Sequence, residues 1–153
     1  MCKPRYSGPM PTAKPNIVRR WQRLEHDRRR VLVRAAMILA AASAGVALLP
    51  FRRAITFGSA DPYRSRGPLT PDECVWAVET AARYLPLRTK CIEKGLAVQR
   101  LLRQSGAAAL LHYGARHNPQ TGKLEAHVWV SLNGAILIGG EEAPRFAQVA
   151  VYG

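Results

Sequence analysis

The chain has 153 residues, 48% hydrophobic and 22% charged, which fits one folded domain with a single core, or such a domain with a small helical extension. Its three cysteines (Cys2, Cys74 and Cys91) are too few and too odd in number for a disulfide scaffold, and they suit a reducing, cytoplasmic setting. The net charge of +13 suggests nucleic acid, an anionic membrane surface or an acidic peptide as partner; without zinc-finger spacing, an aromatic-basic RNA signature or a basic zipper, nucleic acid is disfavoured.

Residues 1–16 contain Pro4, Pro9, Pro11 and Pro15 and predict a disordered basic tail. Residues 17–57 predict a helical region, one helix or two from about Val18 to Leu49, ended by Pro50. The positive charge gathers here, in Arg19, Arg20, Arg23, Arg28, Arg29, Arg30 and Arg34, against only Glu25 and Asp27. Ala35–Leu49 is uncharged but short of the roughly 20 apolar residues of a comfortable membrane span. It also starts too far from Met1 for a signal peptide. A buried Ala-rich helix is expected, with membrane contact or insertion as the alternative. Residues 58–69, rich in Gly, Pro and Ser, read as a linker.

The region 70–153 opens on Thr70-Pro71-Asp72-Glu73. Thr70 can cap a helix, Pro71 fits its first position, and Glu73 can close a capping box. That helix should run to about Tyr84, before Pro86. A second helix should start near Cys91, with Ile92, Leu96, Leu101 and Leu102 on its apolar side, Lys94, Arg100 and Arg103 on the other, and Gly106 as its C-terminal cap. The period then changes to two. Strands are expected at Leu110–Arg116, at Leu124–Leu132, at Ala135–Ile138 after an Asn133-Gly134 hairpin turn, and at Phe146–Tyr152. Helices followed by an antiparallel sheet make an α+β fold with the helices on one face.

Two residues stand out chemically. Cys91 opens a helix, where unpaired N–H groups, the helix dipole and the neighbouring Lys90 and Lys94 favour a thiolate. Cys74 lies deeper in its helix, beside Val75 and Val78, and reads as an inert core thiol. His127 alternates onto the same strand face as Trp129, where an imidazole can take a thiol proton and return it to a leaving amine. His112 and His117 are less well placed, and His26 sits among arginines. No paired Cys/His spacing suggests a metal, and no cofactor is implied.

A cysteine opening a helix, then a strand bearing histidine, then a further strand resembles the transglutaminase-like (papain-like) cysteine enzymes. The stretches CIEKGLAVQRLLRQSG, LLHYGAR and LEAHVWVSLNGAILIGG are similar to the B2 leader peptidases of lasso peptide biosynthesis. VRAAMILAAASAGVALLPFRR likewise resembles the N-terminal helix of that family. The resemblance covers roughly residues 20–150 and implies a transglutaminase-like peptidase domain over 70–153. It further implies that Cys91 attacks the leader–core amide of a precursor peptide while His127 shuttles the proton. The implied partners are the precursor, a separate B1 leader-recognition protein, for which the chain shows no fused counterpart, and a cyclase of asparagine-synthetase type. Arg28–Arg30 are expected to help dock an acidic partner, the B1 protein or the leader.

The family often carries an Asp on the strand after the histidine strand. Here that neighbourhood reads Ile138-Gly139-Gly140. An unbroken hairpin pairs Ala135 with Leu132, sets Gly140 opposite His127, and brings Glu142 diagonally near the imidazole. Glu142 is therefore the expected orienter, with Glu141 in its place if a bulge shifts the register, or a backbone carbonyl instead. The Cys91 backbone N–H is the expected oxyanion donor. The competing functions are a non-enzymatic basic protein that binds membrane or nucleic acid, and an amidase or acyl transferase of the same thiol chemistry.

Overall fold

A computed structural model describes residues 25–59, 69–86 and 89–153. Arg19, Arg20, Arg23, the proline-rich tail and most of the 58–69 linker lie outside them. The described elements are α1 (His26–Leu48), α2 (Phe51–Ile55), α3 (Pro71–Tyr84), α4 (Cys91–Gln104), β1 (Leu110–His117), β2 (Leu124–Leu132), β3 (Ala135–Ile138), a 3-10 turn (Ala143–Arg145) and β4 (Ala147–Tyr152). This is the α+β arrangement expected, with strands at the anticipated places.

Local chemistry sets the helix ends. α1 stops where Leu49 turns extended (φ −107°, ψ 151°) ahead of Pro50, as a residue preceding proline prefers. α3 begins on a complete capping box: the Glu73 N–H donates to Thr70 Oγ1 (3.3 Å) and the Thr70 N–H to the Glu73 carboxylate (2.9 Å). First the Thr70 N–H, and then the Thr70 hydroxyl, which also donates to that carboxylate (2.9 Å), hold the Glu73 carboxyl below its usual range. α4 ends in a turn where Gly106 takes φ +85° and the Ala107 N–H returns to the Leu102 carbonyl (3.0 Å).

The four strands form one antiparallel sheet in the order β3-β2-β1-β4. Asn133 (φ +50°) and Gly134 (φ +83°) make the tight β2–β3 turn, and Leu132 pairs with Ala135 as the sequence predicts. The register then slips between Val130 and Ser131: Ser131 faces Ile136, but Val130 faces Ile138. The regular pairing that would set Gly140 opposite His127 is thereby broken, because the extra β3 residue is a bulge.

α4, with α3 beside it, packs on one sheet face, and α1 packs across α3 and α4. Leu39, Val78, Leu96, Leu101, Leu111 and Val130 are central to their shared core. α1 is thus part of the same core as the helices after it. α4 lies so close to the sheet that a Cβ on Gly95 would stand 2.7 Å from Val128 Cγ1. Its burial exceeds what its charge pattern suggests, since Glu93 and Gln99 are buried as well. Gln99 stays there because its amide donates to the carbonyls of Tyr152 (2.7 Å) and Ala109 (3.3 Å), tying α4 to the end of β4.

Candidate active site

Cys91 is the first residue of α4 and is exposed, whereas Cys74 is buried; neither is in a disulfide. The first main-chain bond of α4 runs from the Lys94 N–H to the Lys90 carbonyl (3.3 Å), so the Cys91 and Ile92 N–H groups have no acceptor within the helix. Among the described residues they have no main-chain acceptor, and they lie beside the thiol. Glu93, which the sequence reading passed over, folds its carboxylate back onto the Lys90 N–H (2.5 Å) and fixes the turn that carries Cys91. Burial pushes the Cys74 thiol up to about 11, and the nearby Glu73 charge adds to this. Of these two thiols, only Cys91 is placed to react.

His127 is nearly buried in β2, with 8% of its surface exposed. Its Nε2 lies 2.8 Å from the Gly139 carbonyl oxygen, so the protonated Nε2 donates to that carbonyl and Nδ1 is left as the acceptor nitrogen. Gly139 reaches this place through φ +79°, and a Cβ there would stand 2.6 Å from the Val128 carbonyl oxygen. Only glycine fits that turn comfortably. Among the described residues, no hydrogen bond joins the expected orienter Glu142, or Glu141, to the imidazole. The β-bulge ends the β3 ladder at Ile138, and Glu141 and Glu142 follow in an exposed turn. The contact to Nε2 comes from the Gly139 backbone carbonyl instead.

Around His127 the sheet carries a row of rings. Its imidazole packs on Trp129 (centroids 6.2 Å apart) and Phe146 (5.2 Å). Trp129 stacks flat on His112 (5.4 Å, 2° between planes). His112 in turn reaches the Gln148 side-chain oxygen through Nδ1 (2.8 Å) and Ser131 Oγ through Nε2 (2.7 Å). At the other end the Arg116 guanidinium lies 4.9 Å over Phe146 and pairs with Glu125 (2.6 Å). First the Asn118 side-chain amide, which donates to Glu125 (2.6 Å), and then Arg116 hold the Glu125 carboxyl below its usual range. His112, Arg116 and Phe146 were not legible as supports, although His112 and Arg116 share the strand face of His127 by alternation. Among the described residues, no group of three His, Cys, Asp or Glu side chains could hold a metal ion.

The two reactive groups approach from different sides. α4 packs against Val128 and Val130, so by strand alternation His127 and Trp129 point to the opposite face. No hydrogen bond joins Cys91 Sγ to His127 among the described residues. His127 lies on the part of β2 beyond the β3 ladder, which pairs only with Val130, Ser131 and Leu132.

A helix-opening cysteine, a strand histidine and the sheet that follows are therefore on one chain in one order. The family model of the transglutaminase-like superfamily matches residues 30–151. The chain belongs to the transglutaminase-like superfamily. That match spans α1 as well as Cys91 and His127, and it carries the coarse chemistry of the superfamily, which includes cysteine peptidases and transglutaminases. No curated protein and no solved structure matches the chain.

Proposed function

We propose that this transglutaminase-like protein is the leader peptidase of a lasso peptide system, acting with a separate B1 recognition protein and ahead of an asparagine-synthetase-type cyclase. The observation that carries the reading is the superfamily match over both Cys91 and His127. The B2-like stretches around them give it its finer form.

In this mechanism Cys91 Sγ attacks the leader–core carbonyl carbon and its proton passes to His127 Nδ1. The oxyanion is met by the Cys91 N–H at the start of α4. The C–N bond breaks as His127 returns the proton to the departing core amine, leaving the leader as a thioester on Cys91. Water, deprotonated by His127, then releases the leader as a carboxylic acid. Throughout, the Gly139 carbonyl holds the ring through Nε2. Proton transfer requires Cys91 and His127 to meet, directly or through one water; because the imidazole lies on the sheet face away from α4, the substrate complex must rearrange to bring the two groups together.

The same match supports a second reading, acyl transfer to an amine. The test is to incubate the precursor and B1 protein with the enzyme, with and without a primary amine, and weigh the products. A free leader acid in both reactions supports the peptidase. A leader amide that displaces the acid supports the transferase.

A further inference from the structure

The inner face of α1 is core, with Ala35 and Leu39 fully buried, whereas its outer face is exposed, with no described element packed on it. Val33, Met37, Ala40, Ala44 and Leu48 follow one another at steps of three or four and are all exposed, Met37 by 62% and Leu48 by 81%. Leu49 and Phe51 continue the surface, exposed by 47% and 44%. The ridge is about 22 Å long at the helical rise.

Cations bracket this ridge. Arg30 is exposed one turn before Val33, and Arg52 and Arg53 are exposed just past its end. No acidic residue occurs between Asp27 and Asp61. A second copy is a poor occupant: parallel pairing sets Arg30 against Arg30, and antiparallel pairing sets it against Arg52 and Arg53. An anionic surface meets all three.

By length and composition α1 could cross a membrane. Crossing would pull Ala35, Leu39 and Ala42 out of a core they share with α3 and α4. Lying flat keeps that core and still buries the ridge.

We propose that α1 is an in-plane membrane anchor, with the Val33–Leu48 ridge in the acyl boundary of an anionic bilayer and Arg30, Arg52 and Arg53 among its headgroups. The docking is independent of the thiol chemistry, so it stands or falls apart from the peptidase reading.

The test is sedimentation of the full chain with large unilamellar vesicles, either phosphatidylcholine alone or phosphatidylcholine with phosphatidylglycerol. Binding is expected to the phosphatidylglycerol vesicles and to weaken as salt rises. Met37→Gln with Leu48→Gln should weaken it roughly tenfold or more, because two exposed apolar side chains leave the acyl boundary. Arg30→Gln with Arg52→Gln and Arg53→Gln should remove the preference for phosphatidylglycerol. All five positions are exposed, so the far-UV melting curve should not move. Failure of the wild type to sediment with the anionic vesicles would overturn the proposal. So would equal binding by the Met37/Leu48 variant, or a concentration-dependent dimer that this variant abolishes.

Discussion

The imidazole of His127 is held by a main-chain carbonyl, with Nε2 2.8 Å from the oxygen of Gly139. A carbonyl can fix the tautomer and the ring direction as a carboxylate does, but it brings no negative charge to stabilise an imidazolium. Removal of the ring should therefore be severe and removal of the nearby carboxylates mild. His127→Ala should lower leader cleavage by roughly 10²–10⁴-fold. Glu142→Gln and Glu141→Gln should stay within about threefold of wild type, because neither carboxylate serves the ring. Initial rates on the precursor, with each variant's fold checked by circular dichroism, decide this. A collapse in Glu142→Gln equal to that in His127→Ala would return the orienting role to the carboxylate.

Gly139 should be intolerant for the same reason. At φ +79° a side chain is strained, and a Cβ would meet the Val128 carbonyl oxygen at 2.6 Å. Gly139→Ala should shift the carbonyl off Nε2 and cost about 1–3 kcal/mol of stability. Urea unfolding gives the stability change. The pH profile of cleavage by the still-folded fraction reports whether the imidazole has lost its fixed tautomer.

The two described thiols should separate cleanly under alkylation. Cys91 is exposed at a helix start, while Cys74 is buried and its thiol is pushed up to about 11. Iodoacetamide at neutral pH should label Cys91 and leave Cys74 untouched until the chain is unfolded, as peptide mapping by mass spectrometry would show. Cys74 also gives a pH dependence. Its folded value lies above the unfolded one near 9.0, so the unfolded chain loses the proton first. The stability contribution is complete below about pH 9 and declines as pH rises towards 11. A Cys74→Ala variant should lose that part of the alkaline decline.

Helix α4 depends on the absence of a side chain at Gly95. A methyl there would stand 2.7 Å from Val128 Cγ1, in a core of fully buried neighbours. Gly95→Ala should cost about 1–3 kcal/mol despite the better helix propensity of alanine. Val128→Ala should recover part of that loss when combined with it. Thermal or urea unfolding of the two single variants and the double variant measures the coupling.

Much of the fold was legible because its signals are local. Thr70, Pro71 and Glu73 specify a helix start within four residues, and Asn133-Gly134 specifies a tight turn in two. The alternation of Val128 and Val130 against His127 and Trp129 was likewise readable residue by residue. What escaped was decided at a distance. The bulge opposite Val130 and Ser131 has no sequence marker of its own, yet it ends the β3 ladder before Glu142 can face His127. The sequence reading passed over Glu93 and Gln99, yet both are buried: the Glu93 carboxylate accepts from the Lys90 amide, and the Gln99 amide donates to the carbonyls of Ala109 and Tyr152. Which sheet face would receive α4 depends on the packing of Gly95 against Val128, and no local pattern encodes it. The superfamily was readable because it rests on the order of Cys91 and His127 along the chain. How closely they approach depends on that packing.

The most direct test of the central claim is the cleavage of the cognate precursor, in the presence of its B1 protein, by wild type and by Cys91→Ala, read by mass spectrometry. The account predicts one cut at the leader–core junction by the wild type and none by Cys91→Ala. A cut at that junction that survives in folded Cys91→Ala, or a folded wild type with its partner that makes no cut, would contradict it.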